Sequence, residues 1–109
     1  MLTIIDGKIS LTRGDTAYLT VDITNELGEE YAMQSGDTLT LSVKKRYIEP
    51  TYSFQAVATG SNTIKISPED TKLLNFGEYV YDIQLNTETG DVYTIVPVNT
   101  FEITPEVTC

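Results

Sequence analysis

Residues 74–85 read Leu-Asn-Phe-Gly-Glu-Tyr-Val-Tyr-Asp-Ile-Gln-Leu, and this stretch decides the fold. From Tyr79 onward the apolar and aromatic residues occupy every second position, Tyr79, Tyr81, Ile83 and Leu85, with Val80, Asp82 and Gln84 between them. Period two is the mark of a strand with one buried face. Just upstream, Ser67-Pro68-Glu69-Asp70 has the composition of a helix start: a capping serine, proline at the first helical position, and acids at the positive end of the helix dipole. Leu73 and Leu74 continue that segment and Gly77 closes it, which predicts a helix of one or two turns near residues 68–75 running straight into a strand. Gly77-Glu78-Tyr79-Val80-Tyr81 is then a structural corner, in which the Tyr79 hydroxyl bonds back to the backbone and Tyr81 points into the core. The simpler reading, two tyrosines alternating on a strand, stays open.

Working outward, the same period recurs. Ala17, Leu19, Val21 and Ile23 alternate with polar residues over 16–24, and Leu39, Leu41 and Val43 do so over 38–44. Phe101 and Ile103 form the inward pair of a last strand, and weaker runs lie at 8–11, 52–58, 63–66 and 92–98. Turn residues separate them: Asn25-Glu26-Leu27-Gly28, Gly60-Ser61-Asn62 and Asn86-Thr87-Glu88-Thr89-Gly90-Asp91. Pro50 and Pro97 cannot donate to a ladder and therefore belong at edges, bulges or strand ends. Gly14-Asp15-Thr16 and Gly36-Asp37-Thr38 each open one of the strongest strands. The two octets that begin there match at five of eight positions, which suggests one local turn solution used twice.

Strands at a spacing of about ten residues, a helical corner and 17 threonines with seven tyrosines predict an all-β fold. The specific expectation is an immunoglobulin-like β-sandwich of seven to nine antiparallel strands with one short helix, a single domain over residues 1–109. In disulfide-bonded sandwiches of this kind a cysteine occupies the place that Tyr81 takes here.

The 109 residues carry 16 Asp and Glu against 7 Lys and Arg, a formal net charge of −9, with no His, no Trp and one Cys. A single thiol makes no internal disulfide, and without His the common zinc sites and Ser–His–Asp or Cys–His schemes have no partner. Cys109 reads as a bystander. No glycine begins a phosphate-binding loop. Glu88 and Asp91 share a turn but lack the spaced ligands of a calcium loop. Asp82 interrupts an apolar strand and reads as hydrogen-bonded or solvent-facing rather than catalytic. Arg13-Gly14-Asp15 matches an integrin-recognition tripeptide, but three residues without a secretion signal carry little. The expectation is a non-enzyme with no cofactor, no metal and no small-molecule substrate. A negative field repels nucleic acid and anionic membrane, and Lys44-Lys45-Arg46 is too short a patch to reverse that. Neither a signal peptide nor a membrane-spanning segment is expected.

Three runs, Leu11-Thr12-Arg13-Gly14-Asp15-Thr16, Gly36-Asp37-Thr38 leading to Val43-Lys44-Lys45, and Gly77 through Leu85, resemble small β-sandwich proteins of phages and prophages of Gram-positive bacteria. The likeness is to the N-terminal domain type of baseplate upper proteins and neighbouring tail-associated proteins, and Phe101 to Thr108 fits the same pattern. Baseplate upper proteins continue into long helical and receptor-anchoring regions, whereas this sequence stops at Cys109. The resemblance implies a structural role in a tail or baseplate: a virion protein assembled in the host cytoplasm, with copies of itself or other virion proteins as partners. Tyr18, Tyr31, Tyr47, Tyr52 and Tyr93, more rings than a small core holds, are the candidate interface anchors. The alternative function is a carbohydrate-binding or adhesive module of the cell envelope, in which exposed tyrosines replace the missing tryptophan as stacking platforms.

Overall fold

The computed structural model describes residues 2–5, 7–24 and 27–107, with side chains from residue 7 onward. Eight strands and one helical turn follow in order: β1 (Leu2–Ile5), β2 (Lys8–Thr12), β3 (Ala17–Thr20), β4 (Thr38–Lys44), β5 (Phe54–Thr59), β6 (Thr63–Ile66), α1 (Pro68–Thr71), β7 (Gly77–Asn86) and β8 (Val92–Thr104). They form a six-stranded sheet in the order β1-β2-β8-β7-β4-β5 and a two-stranded sheet of β3 and β6. The two layers enclose one core, so the molecule is an all-β sandwich with one helical turn at a corner.

Alternation does the sorting. Along β4 the inward Leu39, Leu41 and Val43 are fully buried while Thr38, Thr40, Ser42 and Lys44 face outward, and β7 does the same with Tyr79, Tyr81, Ile83 and Leu85. From the small sheet Ala17, Leu19, Ile64 and Ile66 close the other side. Phe101 sits at the centre with Phe54 and Tyr81 edge-on at centroid distances of 5.7 and 6.2 Å, an edge-to-face geometry that aromatic quadrupoles favour.

The expected antiparallel arrangement holds for every pair but one: β2 runs parallel to β8, Ile9 opposite Phe101 and Leu11 opposite Ile103. β2 and β8 are neighbours on the β1 side of the sheet and run in the same direction, and strand alternation is identical for parallel and antiparallel pairing, so sequence periodicity does not distinguish them. The expected strand over 16–24 leaves its ladder after Thr20. There the Val21 N–H donates to the Asn62 carbonyl at 2.9 Å, yet Val21 and Ile23 remain buried and keep the alternation. The strands expected at 92–98 and near Phe101 are one strand, β8. Its pairing with β7 shifts register twice: Tyr81 opposes Asn99 while Ile83 opposes Val96, and Pro97 falls in the bulge that results. β1, which has no clean alternation, was not expected. Cys109 and the Asn25-Glu26 part of the expected first turn lie outside the described residues.

The helix is a single turn. The Ser67 N–H donates to the Asp70 carboxylate at 2.8 Å, and the chain then turns away, leaving Leu73 almost wholly exposed. Thr71 is fully buried, and its hydroxyl accepts the Gly14 N–H at 2.8 Å, tying this corner to the β2–β3 turn.

Candidate functional site

At the corner, Gly77 has φ +130°, a conformation that side chains with a Cβ rarely adopt, and this lets the chain leave the helical turn and enter β7. Two residues later the Tyr79 ring is buried, and its hydroxyl donates to the Asn75 carbonyl at 2.9 Å. The Tyr81 hydroxyl donates to the Gly7 carbonyl in the β1–β2 turn, which fixes that hairpin to the core. Burial pushes both phenols up from their usual range. Gly77, Tyr79 and Tyr81 are thus a structural unit joining the corner, the core and the β1–β2 hairpin.

The five candidate interface tyrosines do not converge. Tyr18 projects alone from the outer face of β3. Tyr47 and Tyr52, from the β4–β5 loop, border a shallow depression of about 130 Å³ on the outer face of the large sheet, together with Ser42, Lys44, Asp82 and Val98. Asp82 is the one carboxylate among the described residues that line it; burial raises its pKa and the nearby Lys44 opposes that rise. A two-carboxylate mechanism needs a second acid in the same cleft. Lys44 also lies over the Tyr52 ring, 4.9 Å from its centroid, and occupies one of its faces.

Tyr31 and Tyr93 line a second and larger groove, of about 580 Å³, at the end of the sandwich where β7 turns into β8. Ile23, Leu27, Leu85 and Ile95 supply its apolar walls. Tyr31 is not a free anchor: it packs against the core and donates its hydroxyl to Asp37. Asp37 is itself buried and accepts the N–H groups of Gln34 at 3.0 Å and Glu88 at 3.1 Å, while its carbonyl takes the Gly60 N–H at 2.8 Å. One residue thereby joins three loops beside the groove, two through its side chain and the third through its carbonyl. These bonds, that from Tyr31 foremost, hold the Asp37 carboxyl below its usual range. The sequence showed Asp37 as a turn residue, and the turn is there, with the Asp37 N–H bonded to the Gln34 carbonyl at 3.0 Å. Its longer-range ties had no sequence signal.

The Arg13-Gly14-Asp15 tripeptide is structural in part. Arg13 forms an ion pair with Glu106 at 2.7 Å, donates to the Leu74 carbonyl at 3.2 Å, and stacks its guanidinium 4.1 Å from the Phe76 centroid. This pairing lowers the Glu106 pKa.

Charge is divided unevenly. Residues 21–43 and 80–100 contain eight Asp and Glu and no Lys or Arg, whereas the rest of the chain holds the other eight acids and all seven bases. The acid-only segments include those that build the larger groove, with Glu30 next to Tyr31, Glu88 next to Thr87, and Asp91 two residues before Tyr93. Among the described residues no group of three or more His, Cys, Asp or Glu is placed to hold a metal ion, and no helix is long and apolar enough to cross a membrane. No protein-family model and no curated protein matches the chain.

Proposed function

We propose that this chain is a non-enzymatic assembly protein of a phage or prophage tail or baseplate, working through protein–protein contacts. The sequence resemblance supports the setting. The observation that carries the contact role is the display of large apolar side chains at both ends of the sandwich: Tyr47 and Ile48 are 72% and 70% exposed in one loop, and Leu27 and Tyr93 are 82% and 52% exposed at the larger groove. Clustered exposed aromatic and aliphatic side chains mark contact surfaces in soluble proteins. Strong negative charge elsewhere keeps such a protein from sticking indiscriminately to anionic polymers.

A saccharide-binding role is the second reading, favoured by the two tyrosines, Asp82 and Gln84 around the smaller depression. Its volume suits little more than one sugar ring, and Lys44 covers a face of Tyr52 that stacking would need.

The test is cross-linking of the tagged chain in its native host under conditions that induce prophage, followed by mass spectrometry of purified particles. The assembly reading expects discrete protein adducts and recovery with particles. Recovery as a free, adduct-free chain, or a glycan-array signal abolished by Tyr52→Ala, refutes it in favour of the alternative.

A further inference from the structure

We infer that copies of this chain join head to tail, the Arg46-Tyr47-Ile48 tip of one copy seating in the acidic apolar groove at the far end of the next. This rests on the assembly reading and names its partner as a second copy.

The tip is the exposed part of the β4–β5 loop, and it follows directly on Lys44 and Lys45. It therefore pairs three consecutive cations with two consecutive large apolar side chains, Tyr47 and Ile48, both more than two-thirds exposed. Arg46 has an ion pair with Glu49 at 3.3 Å, but with its side chain 73% exposed that contact is weak and exchangeable. The groove offers the complement: apolar walls from Ile23, Leu27 and Ile95, a half-exposed Tyr93, and borders drawn from segments that contain acids and no cation.

The two surfaces cannot meet within one molecule. Lys44 lies at one end of β4, opposite Val80, while Thr38 at the other end lies opposite Asn86 beside the groove. Six residue rises along the strand separate them by about 20 Å. Symmetric pairing is disfavoured on both sides: two grooves would bring together surfaces drawn from acid-only segments, and two tips would oppose six cations with only the shallow depression of about 130 Å³ beside Tyr47 to receive a side chain. What remains is a heterologous contact, tip into groove, which closes into a ring or continues as a filament according to the rotation between copies.

The contact is read by analytical ultracentrifugation in reductant, which keeps Cys109 from linking chains. Wild-type protein is expected to show a weight-average mass that rises with concentration. A tip variant, Tyr47→Ser with Ile48→Ser, and a groove variant, Leu27→Lys with Tyr93→Lys, each change only half-exposed or more exposed side chains, and each is expected to weaken association by about tenfold or more. An equimolar mixture of the two variants restores one intact tip and one intact groove and is expected to give a dimer and nothing larger. A second tip variant, Lys45→Glu with Arg46→Glu, repeats the test with no apolar change. A wild-type chain that stays monomeric, a tip variant that associates as wild type does, or a variant mixture that stays monomeric overturns the inference. A monomeric wild type that still gives cross-linked adducts with other proteins in the host sinks the head-to-tail contact alone. A monomer with no adducts sinks the assembly reading as well.

Discussion

Replacing Tyr79 by Phe removes one oxygen and leaves the rest of the corner in place. The ring stays buried, and Lys45, 4.8 Å from the ring centroid, keeps its aromatic partner. What is lost is the 2.9 Å hydrogen bond to the Asn75 carbonyl. Asn75 is exposed, so water can take over that acceptor and the penalty for an unsatisfied buried group does not apply in full. The cost is therefore that of one net hydrogen bond, about 1 kcal/mol. For a chain of this length such a change lowers Tm by roughly 4–6 °C. Tyr79→Ala removes the ring as well and leaves a cavity beside β8, where Tyr79 opposes Phe101; about 3–5 kcal/mol is expected, a large share of the stability of a small protein. Urea unfolding of both variants with an unchanged m value is the assay. A Tyr79→Phe cost below about 0.3 kcal/mol would show that the hydroxyl does not hold the corner. A cost near that of the alanine variant would refute the argument that Asn75 is rehydrated.

Asp37→Asn keeps the shape but weakens three hydrogen bonds to one carboxylate, and a clear fall in the urea midpoint is expected. Because the folded Asp37 pKa lies below its ordinary 3.8, its stabilising contribution is present above that value and fades as pH falls through the folded pKa; the wild-type minus variant difference should shrink on acid titration, and a constant difference would contradict this assignment. Asp82 has the opposite sign. Its raised pKa means that the ionised form is disfavoured in the folded state, so Asp82→Asn should raise Tm at neutral pH, with the gain diminishing as pH falls and the wild-type carboxyl protonates. The two glycines of the matching octets should respond differently. Gly14→Ala meets no atom within 4 Å but is strained at φ +82°, whereas Gly36→Ala places a Cβ 2.6 Å from Glu88 Cγ and 2.8 Å from Glu88 Cβ; Glu88→Gly, which removes both atoms, should relieve the second variant and leave the first unchanged, and Glu88→Ala, which keeps its Cβ, should relieve the second only in part.

Those glycines show where sequence reading stops. Both octets open on a four-residue turn, closed by Asp15 N–H to the Thr12 carbonyl and Asp37 N–H to the Gln34 carbonyl, but the turn is not one conformation used twice: φ is positive at Gly14 and not at Gly36. Gly14 is there for its backbone angle, while Gly36 is there because Glu88, more than fifty residues away, packs against it. Strand faces were legible for the same reason that turns were: burial of Leu39, Leu41 and Val43 depends only on neighbours two residues apart. The parallel β2–β8 pair, the fused β8 with its bulge at Pro97, and the exit of the chain after Thr20 depend on which strand lies alongside, and alternation carries no record of that. The candidate tyrosines were visible as a surplus, but their division among β3, the β4–β5 loop and the larger groove was not. Ile23, Leu27, Tyr31 and Ile95 line one groove because strands remote in sequence bring them together.

The charge distribution is hard to explain by stability. Two segments hold eight acids without one cation, while the remainder of the chain, with eight acids and seven bases, shows the interspersed pattern that limits like-charge neighbours. If the segregation serves contact between copies, relieving it should improve the monomer and impair the assembly. Glu30→Lys with Glu88→Lys places cations beside the larger groove at positions away from the core. The monomer is then expected to gain thermal stability at low salt, with the gain fading as added salt screens the repulsion already present in the wild type. Association should weaken in the same variant, because the tip's three cations now meet like charge. Calorimetry and sedimentation on one sample decide between the accounts. Loss of association with a gain in stability is the signature of charge retained for contact. A variant that is less stable, or one that associates as well as the wild type, means that the acids serve the fold itself and that the asymmetry has no part in assembly.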